Sequence, residues 1–148
     1  MKTYIAYGSN MNVEQMRRRC PGAILEGTAE LKDYEIVFRG NSHTGVANIE
    51  PKRDGSIPVV VWKITPEDEV NLDIYDGFPV LYTKKILTIE KNGKKKRGMA
   101  YIMTDGHRYQ KPSVAYLETI ANGYDHFGLN VTELFEAAVQ SGIKGGLS

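Results

Sequence analysis

Two stretches of this chain carry residues whose types and spacing could do chemistry. The first is 72–82, LDIYDGFPVLY, in which Asp73 and Asp76 lie three residues apart. Asp76 is expected as the last helical residue before Gly77, where the helix dipole presents its negative end. Asp73 then neighbours it on the helix surface. Both effects oppose ionisation and raise the Asp76 pKa above its usual value of about 3.9. The dipole contributes ~0.3–1 kcal/mol, against about 1.36 kcal/mol per pKa unit. Burial has to supply any shift larger than one unit. A functional carboxylate is one reading of an aspartate that stabilises its helix so little. An exposed aspartate beside a C-cap is the other, and this stretch alone favours it.

The second stretch is 2–11, KTYIAYGSNM. Tyr4, Ile5, Ala6 and Tyr7 read as a short buried strand, and Gly8-Ser9-Asn10 stops it. Asn12 opens a helical pattern, with Val13, Met16 and Cys20 on one face and Gln15 at capping-box spacing. At such a strand–turn–helix junction, unpaired backbone N–H groups and the helix dipole can hold a carboxylate or a developing oxyanion. Gly8, without a Cβ, lets a ligand approach the main chain. A plain structural connector has the same appearance. The stretch is neither a dinucleotide fingerprint nor a P-loop, because the further glycines and the lysine those motifs need are absent.

These residues need elements to position them. After the first helix, Pro21-Gly22 breaks the pattern. Residues 29–38 (AELKDYEIVF) read as a strand, 39–45 as a polar surface connector that includes His43, 46–49 as a short strand and 52–56 as a turn. The run 57–64 (IPVVVWKI) reads as a central strand with Pro58 near its start. Thr65 as N-cap, Pro66 at N1 and the acidic Glu67-Asp68-Glu69 predict a helix to Asp76, closed by Gly77. Val70 and Ile74 share one apolar face of that helix, Leu72 and Tyr75 another. Residues 82–90 and 98–103 read as a hairpin around Asn92-Gly93. Its tip carries Lys91, Lys94, Lys95, Lys96 and Arg97, a solvated charge cluster with no aromatic interleaved for nucleic acid. Ser113 is expected to cap a helix to Asn122 that Gly123 closes. Asn130 and Glu133 have capping-box spacing for a last helix with Val131, Leu134, Phe135 and Ala138 on its core face. That helix is expected to end at Gly142, before a loose tail from Lys144. Neighbouring strands argue for a mixed or antiparallel sheet with helices outside it, an α+β fold.

A length of 148 residues predicts a single domain, residues 1–148. The hydrophobic share of 41% and charged share of 25% are those of a water-soluble globular chain. A net charge of +1 gives no global field for nucleic acid or an anionic membrane. No apolar run approaches the ~20 residues of a spanning helix, and the immediate first strand predicts no leader peptide. Cys20 is the sole cysteine, so no internal disulfide can form, which suits the cytoplasm. With His43, His107 and His126 scattered, no metal site is expected.

Taken together, the segments resemble the γ-glutamylcyclotransferase family. Tyr7-Gly8-Ser9-Asn10-Met11 resembles its YGSNL motif, and Leu72-Asp73-Ile74-Tyr75-Asp76-Gly77 its LDxxEG motif. Ala47-Asn48-Ile49, Val60-Val61-Trp62-Lys63, Tyr101-Ile102-Met103-Thr104, Pro112-Ser113 with Tyr116, and Gly123 with Gly128-Leu129 follow in the family's order. The resemblance spans roughly residues 4–140. It implies a small barrel-like mixed sheet with surrounding helices, and cleavage of a γ-glutamyl amide by its own α-amine to 5-oxoproline and a free amine or amino acid. It implies no cofactor, a small-molecule γ-glutamyl substrate as the only partner, and a monomer or homodimer. It further implies Asp76 as general acid and base. Tyr4, Ile5, Ala6, Tyr7, Gly8, Ser9, Asn10, Tyr82 and Tyr116 would line the substrate site. Asp76 stands where the family carries glutamate, one methylene longer. The alternative expectation is therefore a non-catalytic module that keeps the pocket.

Overall fold

The computed structural model describes residues 1–40 and 44–146. Strands β1 (Lys2–Ala6), β2 (Ile24–Gly40), β3 (Val46–Ile64), β4 (Tyr82–Lys91), β5 (Lys94–Met103) and β6 (Arg108–Tyr109) are joined by helices α1 (Val13–Arg19), α2 (Pro66–Asp76), α3 (Val114–His126) and α4 (Thr132–Lys144). The sheet order is β3-β1-β5-β4-β2-β6, and β3 also pairs with β2, so five strands close into a barrel. The β1–β5 pairing is parallel and the others antiparallel. The fold is α+β, as the element order predicts.

The apolar run of β3 explains its place at the seam. Val59, Val60, Val61, Trp62 and Ile64 are all buried, on both faces of the strand. Helix α2 begins as its sequence dictates. The Thr65 hydroxyl accepts from the Asp68 N–H at 3.0 Å, and the Asp68 carboxylate accepts from the Thr65 N–H at 3.1 Å. Asp68 also accepts from the Gly22 N–H at 3.2 Å, which fixes the exit of α1 against the start of α2. Gly77 closes the helix at φ +66°, and the Phe78 N–H reaches the Asp73 carbonyl at 2.9 Å. The β4–β5 hairpin turns at Asn92 (φ +52°) and Gly93 (φ +75°), as a type I′ turn requires. At its tip, Lys91 donates to the Glu26 carbonyl and Lys96 pairs with the Glu26 carboxylate, both at 2.8 Å. Two of the basic residues are thus tied back to β2.

Several local expectations are corrected. The strands expected at 46–49 and 57–64 are one element, because β2 supplies cross-strand partners from Ile24↔Lys63 to Arg39↔Val46. The turn expected at 52–56 is a register break within that pair, with Asp54 at φ +62°. Of the connector expected at 39–45, Arg39 and Gly40 belong to β2, and His43 lies outside the described residues. The Val70 and Ile74 face of α2 is exposed, and Leu72 alone anchors the helix in the core. Gly123 does not close α3, which continues to His126; a Cβ there would lie 2.8 Å from the Met11 carbonyl carbon. Its hydrogen is what lets α3 touch the turn after β1. Asn130 accepts from the nearby Thr132 N–H at 2.8 Å, an Asx turn, and the N-cap is Val131 without a side-chain bond. Phe135 is exposed, while Leu134 and Ala138 face the barrel. Gly142 is buried inside α4, which runs to Lys144. Ser141 holds this helix on β2 by accepting from the Phe38 N–H at 3.0 Å.

Candidate active site

A cavity of about 190 Å³ opens where β1 ends, bounded by the turn after β1, the C-terminal end of α2 and α3. Of the residues expected at a site, Tyr4, Tyr7, Gly8, Ser9, Asn10, Asp76, Tyr82 and Tyr116 all line it. Ile5 and Ala6 do not; both are sealed in the core. Val46, Ala47, Tyr75, Leu81 and Tyr101 complete the wall. Of these, Ala47, Tyr75, Leu81 and Tyr101 fall inside the segments singled out in the sequence, but nothing in their type marks them as cavity residues.

The turn after β1 is a single 3-10 turn, Ser9–Met11, closed by Met11 N–H on the Gly8 carbonyl at 3.0 Å. The backbone N–H groups of Ser9 and Asn10 find no acceptor among the described residues. The Asn10 carbonyl is pinned by the Trp62 indole N–H at 3.1 Å. Helix α1 follows at once because Asn12 caps it, accepting from the Gln15 N–H at 3.0 Å.

The cavity hydroxyls are tied to the barrel. Tyr7 donates to the Tyr101 carbonyl and Tyr82 to the Ala47 carbonyl, both at 2.5 Å, while Tyr116 accepts from the Ala47 N–H at 3.0 Å. Burial pushes the pKa values of Tyr4, Tyr7, Tyr82 and Tyr116 up, so these phenols stay neutral at physiological pH.

The two aspartates of α2 differ. Asp73 accepts from the Tyr101 hydroxyl at 2.5 Å and pairs with Lys84 at 2.9 Å. Asp76 is half-buried and has no hydrogen-bond or ion-pair partner among the described residues. Its carboxyl is pushed up to about 7, chiefly by burial, with Arg19 opposing and Asp73 adding to the shift. Burial is thus the dominant contribution that helix dipole and neighbour alone could not supply.

Arg19 is a residue that sequence reasoning passed over. It is the last of three consecutive arginines, and Arg17 and Arg18 are exposed. Only Arg19 turns inward, with its guanidinium carbon 3.2 Å from the centre of the Tyr75 ring. Among the described residues, no three His, Cys, Asp or Glu side chains are grouped to hold a metal ion, and no helix is long and apolar enough to cross a membrane.

A small closed barrel whose tyrosine-walled cavity holds one half-buried carboxyl defines a class of protein, and comparison gives the family. The family model described as gamma-glutamyl cyclotransferase, AIG2-like, matches residues 4–123. The chain belongs to that family. It is 32% identical to human gamma-glutamylcyclotransferase, over 85% of this chain and 71% of that protein. The bovine gamma-glutamylcyclotransferase is 30% identical with the same coverage. A solved gamma-glutamyl cyclotransferase structure superposes with a TM-score of 0.83 at 27% identity, covering 92% of this chain and 85% of that one.

Proposed function

We propose that this protein cleaves a γ-glutamyl amide by attack of the substrate's own α-amine, releasing 5-oxoproline and an amine or amino acid. The observation that carries this reading is one juxtaposition. Asp76, half-buried, shares a cavity with the Gly8–Asn10 turn, and neither its carboxyl nor the Ser9 and Asn10 N–H groups have a partner among the described residues. A carboxyl with a pKa of about 7 can hold or release a proton near neutrality. As carboxylate, Asp76 takes a proton from the α-ammonium. The freed amine attacks the γ-carbonyl carbon, the new C–N bond closes the five-membered lactam, and the old C–N bond breaks. Asp76 returns the proton to the leaving nitrogen, and the surplus proton on the lactam nitrogen passes to the released amine. The attack is intramolecular, so a cavity that folds the substrate correctly supplies much of the rate. The Ser9 and Asn10 N–H groups suit the oxygen that gains charge during attack. With a single, buried cysteine, the chain suits the reducing cytoplasm.

A second reading rests on Asp76 itself, one methylene shorter than the glutamate of the family motif. If its reach falls short, the cavity binds γ-glutamyl compounds without turning them over. Incubating the purified protein with a panel of γ-glutamyl amides and measuring 5-oxoproline tests the proposal. Formation above background supports it. Calorimetric binding without product favours the second reading, and the absence of both removes each.

A further inference from the structure

We infer that Arg19 is a positioning residue that, through Asn10, fixes the Tyr4 hydroxyl as a hydrogen-bond donor to an acceptor oxygen of the ligand. The argument follows donors and acceptors along one chain of contacts. A guanidinium has no acceptor, so the Asn10 atom that Arg19 meets at 2.6 Å must be the amide oxygen. The orientation of that amide, otherwise ambiguous, is thereby set. Its nitrogen faces the Tyr4 hydroxyl at 3.0 Å and can only donate, so the Tyr4 oxygen accepts. The phenol keeps one proton, for which no acceptor exists among the described residues. Tyr4 and Asn10 are each 4% exposed and Tyr4 lines the cavity, so that proton is open only to what enters the cavity. A ligand oxygen is the remaining acceptor.

Arg19 is itself held in place. It stacks on Tyr75, donates to Ser9 Oγ at 3.0 Å, and in the satisfied amide orientation of Gln15 donates to that side-chain oxygen at 2.6 and 2.9 Å. Four of its five N–H donors are therefore spent inside the protein, and Arg19 does not itself line the cavity, which it reaches through Asn10. Without Arg19 the Asn10 amide is free to exchange its oxygen and nitrogen. Tyr4 would then donate to Asn10, and the ligand would lose its donor. Tyr116, which accepts from the Ala47 N–H, keeps its proton as Tyr4 does, whereas Tyr7, Tyr82 and Tyr101 donate to protein oxygens and can offer a ligand only lone pairs. The inference rests on the proposed function only for the identity of the oxygen, an oxygen of the γ-glutamyl group.

A double-mutant cycle tests it. Arg19→Met and Tyr4→Phe should each lower kcat/KM for γ-glutamylalanine by about tenfold, the scale of one hydrogen bond. The double variant should fall no further than the weaker single variant. Independent losses, multiplying to about a hundredfold, would overturn the inference. A second measurement needs no ligand. In the wild type, one side-chain amide proton of Asn10 should exchange slowly by NMR. In Arg19→Met that protection should vanish at temperatures well below unfolding. Protection that persists overturns the inference. If no γ-glutamyl compound is turned over, the proposed function fails, and the NMR measurement alone decides the role of Arg19.

Discussion

The Tyr101 hydroxyl donates to the Asp73 carboxylate at 2.5 Å, and this bond separates the two aspartates that face the same end of α2. Asp73, held also by Lys84, is committed to structure; Asp76 has no hydrogen-bond or ion-pair partner among the described residues. Asp76→Asn should therefore lower 5-oxoproline formation by ~10²–10⁴-fold with ligand affinity retained. Asp73→Asn should keep most turnover and instead lower Tm, because a charge-assisted bond worth ~1.5–3 kcal/mol is weakened. Steady-state kinetics and thermal melts on both variants check this. The reverse pattern would move the acid–base role to Asp73.

The rate should depend on pH through Asp76. A general base must be ionised, and burial lifts its pKa to about 7. The acid limb of kcat/KM should therefore bend near pH 7, well above the range of an ordinary aspartate. A limb that bends near pH 4 would show that Asp76 is solvated or uninvolved.

The same shift predicts a stability effect of definite sign. The folded pKa lies above the unfolded one, so between about pH 4 and 7 the folded state holds the extra proton. Stability then declines as pH rises through that window and levels off above it. Asp76→Asn removes the cost. Its Tm should match the wild type near pH 4 and exceed it at pH 8, where the stability difference is roughly 1–3 kcal/mol after allowance for partial exposure. Equal melting temperatures at pH 8 would contradict the burial of this carboxylate.

Gly8 has a negative φ of −117°, so no left-handed turn demands a glycine there; what it provides is space. A Cβ there would lie 3.2 Å from the Ala47 Cβ and 3.7 Å from the Tyr116 hydroxyl, two atoms of residues that line the cavity. Gly8→Val should weaken ligand binding on the order of tenfold or more, with a smaller relative loss of stability. Calorimetry beside thermal melts gives the comparison; equal losses would make Gly8 a packing residue only.

Gly123→Ala would place its Cβ 2.8–2.9 Å from the backbone of Met11 and Asn12. No rotamer relieves a backbone clash. Overpacking costs ~1–3 kcal/mol and outweighs the helix-propensity gain of ~1 kcal/mol. The expected result is a lower Tm together with lower turnover, because α3 is pushed off the turn that carries Ser9 and Asn10. An unchanged Tm would show that the two elements have room to separate.

The features that the sequence determined by itself are those written in local chemistry. Thr65, Pro66 and Asp68 set the start of α2 and Gly77 its end, so Asp76 could be placed at a helix C-terminus from the chain alone. Asn12 fixed the start of α1, and Asn92-Gly93 the hairpin. These devices act over three or four residues, within which backbone geometry leaves few options. The tertiary structure decided what depends on partners distant in the chain. β2 and β3 override the turn signal at 52–56 because each supplies the other's ladder bonds. Gly123, by its type a helix stop, is a contact surface for a turn more than a hundred residues earlier. Arg17, Arg18 and Arg19 are chemically alike, and only the position of Tyr75 and the Gly8–Asn10 turn draws the third inward. The charge of Asp76 follows the same division: its helix position was legible locally, but its burial, the larger cause of its raised pKa, exists only once β1, β4, β5 and α3 close around it.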